Sequence, residues 1–152
     1  MPGNSLQVHV LSSTTAASST AAEQVHKFIL SDSDTIAVPG GKTPQLFYKI
    51  LVDNVVSWSG VRLILTDERM VPPDDPRSNT AMLQQNLFAH CTPDSMPEFV
   101  SLLPENDFID KAKTSKYLQQ YVQPLLPPAI AVCGLGLDGH IAGIFIDDID
   151  SF

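Results

Sequence analysis

Charge is scarce in this chain, and positive charge is scarcer. Only 17% of its 152 residues are charged, and nine Lys and Arg face seventeen Asp and Glu, for a net charge of −8 with histidine neutral. A chain of that sign is repelled by nucleic acid and by anionic membranes, so neither is expected as a partner. Cysteine is nearly absent: Cys91 and Cys133 cannot make a disulfide framework, and Cys133, in the apolar run AIAVC, is expected to be a small buried thiol. His9, His26, His90 and His140 are scattered, with no CxxC or HExxH spacing, so no metal site is expected. No apolar run approaches the length of a membrane span. The first twenty residues contain no Lys or Arg, which argues against a secretory or organellar leader and makes a cytoplasmic location the expectation.

What is present is a 43% hydrophobic chain of a length suited to one domain, residues 1–152, with no internal repeat. QVHVL at 7–11 alternates like a strand. The Ser/Thr-rich stretch that follows reads as a solvated loop leading into a helix through AAEQVHKFIL, with Thr20 and Glu23 spaced as a capping box and Val25, Phe28 and Ile29 on one face. TIAV at 35–38 and VRLILT at 61–66 read as strands, and QLFYKIL between them puts Phe47, Ile50 and Leu51 at helical spacing. TAMLQQNLF and residues 108–122 read as helices, and AIAVCGLG at 129–136 as a last strand. Strands alternating with helices predict βαβ units and a mostly parallel sheet, with the ligand site at the carboxyl ends of the strands.

Those ends carry the three unusual segments. PGGKTP is not a Walker A loop, because the first glycine of that pattern would fall on Ile36. It still has the makings of an anion site: Gly40 and Gly41 let N–H groups converge, Thr43 suits a helix N-cap, Pro44 suits the first helical position, and Lys42 is adjacent. A tight strand-to-helix turn without ligand has the same local sequence. DERMVPPDDPRSN, at 67–79, concentrates charge, and all three arginines, Arg62, Arg69 and Arg77, fall in one sixteen-residue stretch, enough for a local basic pocket. Its plain alternative is an acidic loop whose arginines pair with Asp74 and Asp75. GLGLDGH matches GxGxxG at Gly134, Gly136 and Gly139, but a dinucleotide turn needs a further helix, strand and acidic residue ~20 positions on, and thirteen residues follow Gly139. The other reading is a glycine turn that presents Asp138 and His140, with the carboxylate fixing the tautomer of a histidine that acts as general base.

Taken in order, AVPGGKTP, LTDERMVPPDDPRSN and CGLGLDGHIAGIF resemble the 6-phosphogluconolactonase family, which is related to the glucosamine-6-phosphate deaminases and isomerases. The resemblance implies a three-layer α/β/α sandwich with a mostly parallel sheet and hydrolysis of 6-phospho-D-glucono-1,5-lactone to 6-phosphogluconate without a cofactor. It implies Gly40, Gly41, Lys42 and Thr43 at the phosphate or sugar end, Arg69 as a cationic contact, Asp67 in the cleft, Asn79 supporting the loop, and Asp138 with His140 as the catalytic pair. Arg69 favours a lactonase, since the deaminases usually carry an aromatic residue there, whereas GHIA is closer to deaminase wording than the GHTAS of lactonases.

Family members normally continue well past the DGH segment. The expectation is therefore a domain whose sheet is incomplete on its C-terminal side, with the apolar AIAVC strand open to water and available for homo- or hetero-association. Besides an active lactonase, two further readings follow: a non-catalytic sugar-phosphate binder or inactive short form, and a deaminase or isomerase acting on an amino sugar phosphate.

Overall fold

The computed structural model describes residues 7–31, 35–54, 57–106 and 108–145. Along the chain run α1 (Thr14–Ser31), β1 (Thr35–Val38), α2 (Gln45–Asn54), β2 (Arg62–Leu65), α3 (Asn79–Asn86), β3 (Glu98–Phe99), α4 (Lys111–Tyr117) and β4 (Ile130–Ala131). The four strands form one parallel sheet in the order β3-β2-β1-β4. β1 and β2 pair along their full length, Thr35 with Arg62 through Val38 with Leu65. β4 joins β1 through Ile36 with Ile130 and Ala37 with Ala131. This is the α/β architecture expected from the alternation of apolar runs and amphipathic stretches.

The core explains why Ile36–Val38 and Leu63–Leu65 are continuous apolar runs. All four β1 residues are buried, so at the centre the sheet is covered on both faces, as parallel strands require. Ile36, Val38, Leu63 and Leu65 join Phe47, Tyr48 and Leu51 of α2, Val25 and Ile29 of α1, Leu83 and Leu87 around α3, and Trp58 in one cluster. α1 packs on α2, and α2 also touches α3.

Several local expectations are corrected. Residues 7–11 form no strand: Val8 and Val10 are 76% and 93% exposed, because alternation without a paired sheet edge buries nothing. The Ser/Thr stretch is not a loop. α1 starts at Thr14, with Ser13 accepting from the Ala16 N–H at 3.1 Å, so Thr20 and Glu23 lie inside the helix and make no capping box. α2 begins at Gln45, and the Pro44 carbonyl accepts from the Tyr48 N–H at 3.0 Å; the cap position thus falls on Pro44, not Thr43. The helix expected over 108–122 starts at Lys111, because Asp110 accepts from the Ala112 and Lys113 N–H groups. It continues as a wider π turn through Leu118–Val122. β3 is two residues long and gave no periodic signal.

Cys133 is exposed, not buried, as are Ala129 and Ala131, while Ile130 and Val132 are half-buried. β4 lies at the edge of the sheet, so the described residues cover only one side of this apolar strand.

Leu63, with no exposed surface, sits in the middle of the cluster. Leu63→Ala should lower the free energy of unfolding in urea by ~2–5 kcal/mol, whereas Val10→Ala should stay within ~0.5 kcal/mol.

Candidate active site

β1 and β2 end side by side, the Thr66 N–H donating to the Val38 carbonyl at 2.9 Å, and β4 runs along the other side of β1 with Val132 N–H donating to Ala37 at 2.9 Å. The three segments that leave these strands therefore emerge together. They enclose one cavity of about 230 Å³, whose wall includes Gly40, Gly41, Lys42 and Thr43 from the first, Asp67 and Arg69 from the second, and Gly134, Gly136 and His140 from the third. Segments up to a hundred residues apart in sequence thus share one cleft at the carboxyl ends of parallel strands, where α/β sheets bind ligands.

The first wall is a backbone surface. Gly41 has φ +89°, which favours glycine, and opens the turn after β1. The Tyr48 hydroxyl donates to the Pro39 carbonyl at 2.5 Å and so pins the start of that turn from beneath. Burial, and secondarily the Asp67 carboxylate, push the Tyr48 phenol far above its ordinary range, so it stays a donor. Gly40 is needed for a different reason: any Cβ there would lie 2.0 Å from Cγ of Asn79.

Asn79 fills that space and does not line the cleft. Its side-chain amide donates to the Asp67 carbonyl at 2.9 Å and to the Asp67 carboxylate at 3.2 Å. Asn79 thus lies between the glycine turn and the exit of β2. Asp67 also faces Arg69, Nε to Oδ2 3.8 Å, and Arg69 remains 62% exposed.

The three sequence-clustered arginines do not make one basic pocket. Arg77 is held by Asp75 through contacts of 2.9 and 2.8 Å, which lower the Asp75 carboxyl to about 2. Arg62 lines a different cavity. Lys42 and Arg69 are the cations of the cleft.

The third wall is the glycine turn. The Gly136 N–H donates to the His140 carbonyl at 2.9 Å, and the Gly139 N–H donates to the Gly136 carbonyl at 3.0 Å, with Gly139 at φ +87°. The chain thus closes on itself and brings Asp138 back to His140: Nδ1 to Oδ1 is 2.5 Å, and the His140 N–H reaches the same oxygen at 3.3 Å. The hydrogen bonds from His140 hold the Asp138 carboxyl below its ordinary 3.8. Asp138 stands behind the ring, outside the cavity wall, and the Phe145 ring lies 5.0 Å from the imidazole. With Nδ1 turned to the carboxylate, Nε2 is the basic nitrogen of the neutral ring. Gly143 brings this segment against the second, since a Cβ there would meet Asp67 Cβ at 3.8 Å.

A larger cavity, about 680 Å³, lies on the other side of the β2 exit, lined by Arg62, Glu68, Glu98, Phe99, Tyr117 and Tyr121 among others. None of the glycine turns nor His140 contributes to it, and the convergent polar groups make the smaller cleft the candidate site. Among the described residues no cluster of His, Cys, Asp or Glu could hold a metal ion, and no helix is long and apolar enough to cross a membrane.

This cleft on a parallel sheet is accompanied by clear kinship. The family described as glucosamine-6-phosphate isomerases/6-phosphogluconolactonase matches residues 9–150, and the chain belongs to it. A 6-phosphogluconolactonase of Mesorhizobium japonicum is 36% identical over 115 residues, covering 76% of this chain and 47% of that protein. One from Thermotoga maritima is 33% identical over 121 residues, covering 77% and 53%. In fold, the chain superposes on the Thermotoga maritima 6-phosphogluconolactonase with a TM-score of 0.71 at 24% identity, covering 87% of this chain and 60% of that one. It superposes equally well on a monomeric glucosamine-6-phosphate deaminase, TM-score 0.73 at 23% identity, covering 90% and 58%. The chain spans about half the length of the curated relatives it matches.

Gly136 has no room for a side chain, because a Cβ would come within 2.2 Å of His140 Nδ1 and 2.6 Å of Asp138 Oδ1. Gly136→Ala should therefore part the two residues and let the Asp138 carboxyl rise toward 3.8, which a carboxylate-detected NMR titration reads directly. The sign follows from the lowered carboxyl: in the unaltered chain the contact is fully present above pH 3.8 and is lost as pH falls through the depressed value.

Proposed function

We propose that the cleft binds and hydrolyses a sugar-phosphate lactone, 6-phospho-D-glucono-1,5-lactone, to 6-phosphogluconate. The observation that carries this reading is one cavity walled by a glycine turn with Lys42, by Asp67 with Arg69, and by a histidine whose Nδ1 is held by Asp138. The volume is on the scale of a single phosphorylated sugar, below the ~300 Å³ of sites for larger ligands.

The chemistry then needs only these groups. Gly40, Gly41, Lys42 and Thr43 hold the phosphate or sugar end through backbone N–H groups and one ammonium, and Arg69 supplies the second cation. His140 Nε2 takes a proton from water as the water oxygen bonds to C1 of the lactone. Asp138 fixes the tautomer and steadies the imidazolium that results. The tetrahedral oxyanion collapses, the bond from C1 to the ring oxygen breaks, and imidazolium returns its proton to that oxygen. The acid formed ionises to 6-phosphogluconate. No covalent intermediate or cofactor enters this sequence.

Residues 1–152 then belong to one lactonase-type domain, acting in the cytoplasm. A second reading has one observation in its favour. The side of β4 that the described residues leave uncovered, with Leu135 and Leu137 at 74% and 111% exposure beyond it, suits association with another chain, in which this one binds sugar phosphate without turnover. A deaminase reading shares the fold, but Arg69 stands where an aromatic residue is usual in those enzymes.

The test is loss of freshly generated lactone beside a His140→Ala control. Hydrolysis above the spontaneous rate that drops ~10²–10⁴-fold in the control is expected. A folded chain that leaves the rate unchanged while still binding 6-phosphogluconate would replace the lactonase reading with the binding one.

A further inference from the structure

Glu68 sits in sequence between two residues that line the cleft, Asp67 and Arg69, yet its side chain points the other way, into the wall of the larger cavity. There it is saturated. Oε1 accepts from the backbone N–H of Asn79 at 2.8 Å and of Arg69 at 2.7 Å. Oε2 accepts from the Thr80 N–H at 2.8 Å, the Thr80 hydroxyl at 2.6 Å and the Ser78 hydroxyl at 3.1 Å. A carboxylate has about four lone-pair sites, so these donors leave none for a ligand. Glu68 is thus no acid or base of the reaction.

The consequence lies in which groups it joins. Loop 69–78 is closed by a single oxygen, which takes the N–H at its entry, Arg69, and the N–H just past its exit, Asn79. The negative charge also meets the free N–H groups at the start of α3, where the helix dipole favours it. Asn79, so fixed, carries its amide to the carbonyl and carboxylate of Asp67 and its Cγ to the face of Gly40. The chain of contact runs from Glu68 through Asn79 to two of the three walls of the cleft.

We propose that Glu68 is the positioning residue of the site: it sets the spacing between the glycine turn and the β2 exit by holding Asn79, without touching the ligand. This deepens the sugar-phosphate reading and rests on it only for what the cleft binds. A plain helix cap would act differently, since its loss would loosen Ser78 and Thr80 and leave Gly40 undisturbed.

Glu68→Gln keeps the size of the side chain but turns an NH2 toward N–H donors. By NMR, amide exchange at Arg69, Asn79 and Thr80 should quicken by about tenfold or more, and the Asn79 side-chain NH2 and the Gly40 amide should shift. Gly139, in the third segment, should not. Binding of 6-phosphogluconate should weaken about tenfold through the same displacement. Thr80→Val, which removes only the hydroxyl donor, should move the same resonances by less and serves if the glutamine variant unfolds. Unmoved Asn79 side-chain and Gly40 signals in a folded variant would reduce Glu68 to a helix cap and overturn the proposal. Failure of every protein, unaltered chain included, to bind 6-phosphogluconate would count against the sugar-phosphate reading alone, because the resonance comparison decides the role of Glu68 without ligand.

Discussion

The cleft depends on one close approach: the Asn79 side chain lying against the bare backbone of Gly40 while its amide holds Asp67. A parallel sheet brings the ends of β1 and β2 within reach of each other, but it does not decide how far apart the segments beyond those ends will stand. A side chain wedged between them does. Gly40 gives up its Cβ so that the wedge fits, and Asp67 uses its carbonyl and carboxylate to hold it. The loop that carries Arg69 is thereby tied to a rigid scaffold, and a buried tyrosine secures the glycine turn from the other side. Positions set in this way allow a cleft of polar residues to keep its shape without ligand.

Electrostatics follow the same economy. The chain is acidic overall, and its basic residues are spent unevenly: Arg77 is committed to Asp75, while Lys42 and Arg69 remain at the cleft. Positive charge in the cleft is thus concentrated on Lys42 and Arg69 in a chain that is acidic overall. Behind the third wall Asp138 is consumed in orienting His140, which keeps the Asp138 charge out of the cleft. The family's glucosamine phosphate and phosphogluconolactone branches share this scaffold, so the residues lining the walls, not the fold, carry the difference in chemistry.

What could be read in the sequence was whatever local pattern or glycine usage expresses. TIAV and RLIL announced themselves as buried strands because both faces of the sheet are covered there, and QLFYKIL kept a helical period because one face meets the core. The convergence of PGGKTP, TDER and GLGLDGH followed from their places at strand ends. Patterns failed where a residue's partner is remote or lacking. Alternation in 7–11 had no sheet edge to join, and small Ser, Thr and Ala residues concealed the first turns of α1 because they suit loop and helix alike. Cys133 looked buried by composition, but an edge strand buries only what its neighbours cover. Glu68 was hidden most fully: the Ser-Asn-Thr run that opens α3 signals a helix N-terminus, but nothing in the spacing says that a carboxylate ten to twelve residues upstream accepts its donors.

The central claim is that three separate segments make one anion-binding cleft. Its most direct test is an NMR titration of the uniformly labelled chain with 6-phosphogluconate, following the backbone amides of Gly40, Gly41, Lys42, Arg69, Gly136 and His140. The account predicts that all three segments shift together and fit a single dissociation constant, while Glu98 and Tyr121 in the larger cavity stay still. Shifts confined to one segment, or centred on the larger cavity, would contradict it.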